Sequence, residues 1–359
     1  MLAAAFTMAS ITNATAEETR ATKSADKTQA FVDSASRAWF ASEWQAFVTR
    51  FVTADGRVVD NGNGGVSHSE GQGYGLLLAA KAGDAPRFDA IWHWTRTTLL
   101  IRKDGLAAWK WDPVTRKVAD TNNATDGDVL IAWGLAEGAK RFGRPDYREA
   151  AAILAQSIGD HALGSAKVGP VLLPGAHGFG AGEQPDGPVV NLSYWVFPAF
   201  MALGELAPSV DWARIRRSGL AMLEQSRFGT FGLPTEWESL AGPHPRPAAR
   251  FPIGFGYNAI RIPLYLAMDG SIEARAALRR FAGRLSNDTA GVKPKAGQLP
   301  ITAPIDQPGY DLVLAVARCI AKGEVIPPEM IKTRSELYYP ETLRLFSVIA
   351  IQERFSACL

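Results

Sequence analysis

Ser67-His68-Ser69-Glu70-Gly71-Gln72-Gly73-Tyr74-Gly75 runs into the apolar stretch Leu76–Ala80, and the reading of the chain starts here. Ser67 and Glu70 have the S-x-x-E spacing of a capping box, which predicts a helix over 69–83. Each glycine in its first turns costs up to ~1 kcal/mol relative to alanine, so the backbone is expected to let something approach closely. Glu70 then has two readings. It is a capping carboxylate, or it is a general acid facing a bulky polar substrate beside bare backbone and Tyr74.

Asn122-Asn123-Ala124-Thr125-Asp126-Gly127-Asp128 repeats the arrangement at the start of the periodic segment Val129–Phe142. Thr125 or Asp126 is a candidate N-cap there, and Asp128 is an acid suited to a first helical turn. Two carboxylates at helix mouths with glycines beside them imply that Glu70 and Asp126 face one cleft. Further along, helical periodicity recurs over 33–53, 69–83, 85–102, 126–142, 145–163, 193–207, 209–226, 256–268, 271–285, 309–321, 325–334 and 339–353. Twelve such segments predict an all-α closed ring of helical hairpins, inner helices surrounded by outer ones. No linker-like shift in composition divides the chain, so 33–359 reads as a single domain. Arg57-Val58-Val59 and Pro170-Val171-Leu172-Leu173 are candidate hairpin arms at its rim. The connections 103–125, 164–192 and 227–255 are longer than ordinary loops, and such loops commonly carry function.

Of 359 residues, 47% are apolar, enough for a sizeable core, and the formal charge is only +2 with Lys and Arg scattered. That balance argues against a nucleic-acid or anionic-membrane partner. Ten tryptophans are many for this length, and several adjoin polar or glycine-rich segments, as sugar-stacking or core-filling rings would. Leu2–Ile11 followed by Ala14-Thr15-Ala16 reads as an export signal over 1–16, with a polar, disordered lead-in over 17–32. The expected location is secreted or periplasmic, with no membrane insertion. Cys319 and Cys358 are a disulfide or two free thiols. The five histidines show no ligand spacing, so no metal and no cofactor is expected.

Ser69-Glu70-Gly71-Gln72-Gly73-Tyr74-Gly75, Ala124-Thr125-Asp126-Gly127-Asp128-Val129-Leu130-Ile131-Ala132-Trp133 and Tyr257-Asn258-Ala259-Ile260-Arg261 together resemble glycoside hydrolase family 8. The likeness includes Asn191-Leu192-Ser193-Tyr194 and Tyr338-Tyr339, and is greatest to the bacterial endo-1,4-beta-glucanases (cellulases) associated with cellulose synthase. It implies an (α/α)6 barrel and hydrolysis of β-1,4-glucan with inversion, with a cellulose synthase complex as a possible partner. Inversion needs one carboxylic acid and one carboxylate ~6.5–9.5 Å apart, so that a water fits between. By resemblance Glu70 is the proton donor, which requires burial or a neighbouring carboxylate to raise its pKa against the pull of a helix N-terminus. Asp126 matches the family's other functional aspartate and is assigned to substrate binding and electrostatic support.

The chain departs from the family at Asn258, where many members carry an aspartate base. An amide cannot act as a base near neutral pH, but it can hold the water. The base is then expected at Glu236 or Glu238, with Asp306 and Asp311 as weaker choices. Arg261 is a clamp on the water-positioning group or a sugar hydroxyl, or else a structural ion pair. Trp109, Trp111, Tyr194, Trp195 and Tyr339 are candidate sugar platforms, Tyr257 a substrate contact, and Asn191 a substrate contact or a helix cap. Chitosanase or xylanase specificity on the same barrel is one alternative. A catalytically weakened glucan-binding protein, with Asn258 as its motive, is the other.

Overall fold

Glycine closes four helices: Gly83, Gly143, Gly270 and Gly323 take φ values of 74°, 66°, 66° and 75° just past a last turn, the left-handed conformation that frees the terminal carbonyls for capping. In the computed structural model, which describes residues 38–284 and 305–359, these stops and the matching starts delimit twelve α-helices among the described residues. They are α1 (38–51), α2 (Ser69–Ala82), α3 (Ala85–Thr98), α4 (Thr125–Phe142), α5 (Pro145–His161) and α6 (Phe200–Leu206). The others are α7 (Trp212–Gln225), α8 (Arg261–Asp269), α9 (Ile272–Ala282), α10 (Pro308–Lys322), α11 (Pro328–Lys332) and α12 (Tyr338–Arg354). The export signal and lead-in expected at the N-terminus lie outside the described residues. The chain divides into two compact units, Met1–Ala46 and Phe47–Leu359. In the first, described residues 38–46 are helical and bury Phe40 and Trp44.

From Ser69 onward the helices form an (α/α)6 arrangement. Each even-numbered helix from α2 to α10 packs on the helix that follows it, and α2–α4, α4–α6, α8–α10 and α10–α12 also pack side by side. Burial separates the two layers. The outer helix α5 buries one stripe, Tyr147, Ala151, Leu154, Ala155 and Ile158, the spacing of a single helical face. The inner helix α2 instead buries every residue from Gly71 to Ala80. Nearly all-round burial is what the low amphipathicity of Leu76–Ala80 encodes.

What approaches the glycines of α2 is protein. A Cβ on Gly73 would lie 2.5 Å from Leu130 Cβ and 2.8 Å from the Ile131 amide, and one on Gly127 would lie 2.7 Å from the Glu70 amide. These two glycines therefore let α2 and α4 meet backbone to backbone, rather than opening α2 to a substrate as the sequence suggested. The expected capping box is also absent. Ser67 donates to the Val58 carbonyl at 2.5 Å, and His68 is the N-cap, its Nδ1 accepting from Gly71 N–H at 3.1 Å. At α4 neither Thr125 nor Asp126 caps: Ala124 is the N-cap residue, without a side-chain bond, and Thr125 Oγ1 donates to the Leu173 carbonyl at 2.6 Å.

The helix expected over 193–207 breaks into 3-10 turns at Leu192–Tyr194 and Phe197–Ala199 before α6. Pro198 lacks the N–H that a continuous helix would use. The helix expected from 256 starts at Arg261, after a turn that holds Tyr257 and Asn258. The long connections supply the strands. β1 (Ser67–His68), β2 (Lys110–Asp112) and β3 (Lys117–Asp120) form one antiparallel sheet, with Ser67 opposite Trp111. β4 (Leu163–Ala166) pairs with β5 (Gly169–Leu172), which is the expected arm at 170–173. β6 (Val189–Val190), β7 (Glu238–Ser239) and β8 (Arg246–Pro247) tie two long loops together. The arm expected at 57–59 is no strand; Val58 makes only an isolated bridge to Val52.

Candidate active site

Arg261 gathers the site. It opens α8, is fully buried, and spends its guanidinium on four side chains from four elements. Nη1 donates to Glu70 Oε2 at 2.6 Å and to Asp126 Oδ2 at 2.7 Å. Nη2 donates to Ser193 Oγ at 2.8 Å and to Asn258 Oδ1 at 2.9 Å. The first two partners stand at the mouths of α2 and α4, where the glycine contact holds the helices together. The last two come from the broken segment before α6 and the turn before α8. Arg261 and Asn258 are three residues apart, and the turn brings them together without a helix: Arg261 N–H donates to the Asn258 carbonyl at 3.1 Å.

The electrostatics favour a proton on Glu70. Burial pushes its pKa up to about 7; Arg261 and His68 pull it down, while the Asp126 carboxylate pushes it up further. One cation between two carboxylates leaves a surplus negative charge in a poorly solvated place, and holding a proton relieves it. His68 is half-buried and its Nε2 lies 3.2 Å from Asp60 Oδ2. Burial lowers the imidazole pKa, but the Asp60 hydrogen bond and the fields of Glu70, Asp60 and Asp126 outweigh it and the net shift is upward. Tyr338 and Tyr339 of α12 also feel Glu70, and burial holds both phenols well above their usual range.

Residues 20–353 match the sequence profile of Glycosyl hydrolases family 8. The chain belongs to that family. A probable endoglucanase of Novacetimonas hansenii is 40% identical over 304 residues, 81% of this chain and 85% of that protein. The solved structure of endo-beta-1,4-glucanase CMCax from Acetobacter xylinum has a TM-score of 0.73 at 34% identity, covering 88% of this chain and 98% of that one. An endoglucanase from Klebsiella pneumoniae, described as a family 8 glycosyl hydrolase, has a TM-score of 0.73 at 31% identity, covering 87% and 99%.

In this family 8 chain the remaining residues singled out by sequence fall into two groups. Around the Arg261 cluster, Glu236 Oε1 accepts the backbone N–H of Asn258 at 2.8 Å, and the Tyr194 ring lies 5.6 Å from the Arg261 guanidinium carbon. Tyr339 Oη donates to the Tyr257 carbonyl at 2.8 Å, and the two rings cluster with Tyr310; Tyr257 is exposed, Tyr339 half-buried and Tyr310 buried. Trp109 and Trp111 lie in and beside β2, both half-buried, with the Trp109 carbonyl accepting Ser69 N–H at 3.0 Å. Trp109 Nε1 donates to Asp120 at 2.8 Å, and Arg57 stacks on Trp111 at 4.9 Å.

The second group lies elsewhere. Trp195 is fully buried and donates to the Ile215 carbonyl at 2.9 Å, so it fills core and is no platform. Glu238 is fully buried in β7 against Ser226, with no charged group among the described residues acting on it. Asp306 is exposed before α10 and Asp311 is in its first turn; neither bonds to Arg261, Glu70 or Asp126. Asp128 accepts from Ala107 N–H and from Asn123 Nδ2, both at 2.8 Å, anchoring the connection before α4. Asn191 is buried and caps the first 3-10 turn. Ser193 and His68 escaped the sequence reading, because a serine two residues after an asparagine and a histidine beside a serine look like ordinary cap residues.

Proposed function

We propose that this chain is an endo-β-1,4-glucanase that hydrolyses cellulose or a related β-1,4-glucan with inversion. The observation that carries the reading is the Glu70–Arg261–Asp126 bridge, in which one buried guanidinium serves two carboxylates and Glu70 retains a proton near neutral pH. Glu70 is the general acid: with Oε2 accepting from Arg261, its other oxygen carries the proton given to the glycosidic oxygen as the C1–O bond breaks. Asp126 supports the positive charge that develops on the sugar ring. Water attacks from the opposite face and gives its proton to a base.

We assign the base to Glu236. Asn258 has no useful proton affinity, but its own backbone N–H holds the Glu236 carboxylate, so a carboxylate stands at the turn where many relatives place theirs. Glu238 is too enclosed for the task. Trp109, Trp111, Tyr194, Tyr257 and Tyr339, which keep partial exposure, are the proposed sugar contacts. The apolar N-terminal stretch and the disulfide between Cys319 and Cys358, with Cα atoms 5.8 Å apart, support export. Editing of nascent cellulose beside a synthase complex is proposed on the resemblance alone.

Loss of viscosity and release of reducing ends from a soluble β-1,4-glucan test the reading. Glu70→Gln should lose about 10²–10⁴-fold in kcat. Glu236→Ala should lose a similar factor and regain activity with azide, leaving an α-glycosyl azide, because azide attacks without a base. An inert parent that Asn258→Asp revives would overturn the assignment of the base and favour the weakened glucan-binding protein.

A further inference from the structure

The guanidinium of Arg261 is fixed on one side by two carboxyl groups, of which Glu70 changes charge during the proposed reaction, and on the other by two neutral oxygens, which do not. Arginine has only donors, so Ser193 Oγ accepts from Nη2 at 2.8 Å and its single proton must go elsewhere. It goes to Asn191 Oδ1, at 2.7 Å. The same Oδ1 accepts Ser193 N–H at 3.1 Å, so both bonds orient the Asn191 amide with its oxygen toward Ser193. Asn191 is itself buried at the start of the 3-10 turn, where Val189–Val190 join it to the β6–β7–β8 sheet. Every link therefore has a single polarity, from Arg261 to Ser193 to Asn191, and all three residues are at most 1% exposed.

We propose that Ser193, held by Asn191, is the positioning residue that fixes the plane of the Arg261 guanidinium, so that Nη1 points between Glu70 and Asp126 throughout the reaction. The inference rests on the reading of Glu70 as the acid. When Glu70 gives up its proton, attraction to Arg261 rises, and a free guanidinium would swing toward Glu70 and away from Asp126. The bond to Ser193 opposes that swing with a group whose charge never changes. Asn258 Oδ1 shares Nη2 but sits on a turn, whereas Ser193 is tied twice to Asn191.

Ser193→Ala removes the acceptor and leaves a small apolar side chain. The expected result is a kcat lowered by up to about 100-fold, as for a misplacement of order 1 Å, with KM changed less than about threefold. The basic limb of the pH–kcat profile should also move to higher pH, because a looser Arg261 holds less charge against Glu70. The charges that face Glu70 are Arg261 from α8, Asp126 from α4 and His68 before α2. The tyrosines that surround it, Tyr74 from α2, Tyr194 from the turn of Ser193, Tyr265 from α8, Tyr310 from α10 and Tyr338 and Tyr339 from α12, stay neutral in this range. Ser193→Thr, which keeps the hydroxyl, should restore both kcat and the limb.

A Ser193→Ala protein with the parent's limb and a proportionate loss of thermal stability would mean a purely structural serine and overturn the proposal. Should that variant fail to fold, Asn191→Ala, which keeps the Ser193 oxygen but frees its hydrogen, is read for the same shift, and an unmoved limb again overturns it. Glu70→Gln run in parallel separates the two claims. Full activity in Glu70→Gln sinks the assignment of the acid, whereas an inactive Glu70→Gln beside an unshifted Ser193→Ala sinks only the role of Ser193.

Discussion

Glu238 is a fully buried carboxyl and Glu70 a half-buried one, and loss of solvent lifts both pKa values, to about 8 and about 7. Their surroundings differ in kind. Glu70 meets a guanidinium, a second carboxylate and an imidazole, and its side chain keeps 16% of its surface open. Glu238 meets one serine hydroxyl, and its Oε1 has no hydrogen-bond partner among the described residues in a fully enclosed place. Asp128, lifted to about 7 by burial, resembles Glu238 in being closed off, although backbone and amide donors satisfy it. A raised pKa therefore identifies burial. Access and a charged partner distinguish an acid that can serve a reaction.

Three experiments press on that contrast. The largest effect should come from comparing the two glutamines directly: Glu70→Gln silences scission, while Glu238→Gln leaves kcat within about twofold, as reducing-end assays on the same glucan would show. A comparable loss in both would break the distinction. Next, Arg261→Met places Glu70 in surroundings closer to those of Glu238. Activity should fall about 10²-fold, and the basic limb of the pH–rate profile should move above its parental position near 7, since the group that lowers the Glu70 pKa is gone. A limb that stays in place would mean that Arg261 does not tune the acid.

The smallest effect is on stability. The folded pKa of Glu238 lies above its ordinary 4.5, at about 8, so between those values the native state binds more protons than the unfolded one and stability falls as pH rises. Below that window the carboxyl is protonated in both states and costs nothing through ionisation. Glu238→Gln should then unfold with the parent at about pH 4 and at a higher temperature than the parent at about pH 9, read by thermal melts. A melting difference that does not change with pH would show that Glu238 is not protonated in the fold.

Much of the helical frame was legible because it depends on local signals. Gly143 and Pro145 mark the end of α4 and the start of α5 with residues whose backbone preferences are strong. The pairing of Glu70 with Asp126 was legible as a repeated pattern. What the sequence hid is non-local. The strands are two to four residues long, and β1 and β6 exist only because distant segments meet, as Val190 meets Glu238 across 48 positions. Ser67 looked like the cap of α2 until β1 took its hydroxyl for the Val58 carbonyl, and the cap passed to His68. Trp195 and Trp111 are both tryptophans beside polar residues, yet a bond to the Ile215 carbonyl holds one in the core while the other stays half-buried in β2. No local pattern separates Glu236 from Glu238 either, two residues apart with opposite environments.

The close contact of α2 and α4 at Gly73 and Gly127 acts as a gauge block. The gap between the two acids is set where the bare backbone of Gly73 lies against Leu130 and Ile131 and that of Gly127 against Ser69 and Glu70, with no room for a further atom between them. Loops around such a block can be recut for other polymers while the machining of the centre keeps its tolerance, and one added methyl at Gly127 would throw the gauge off.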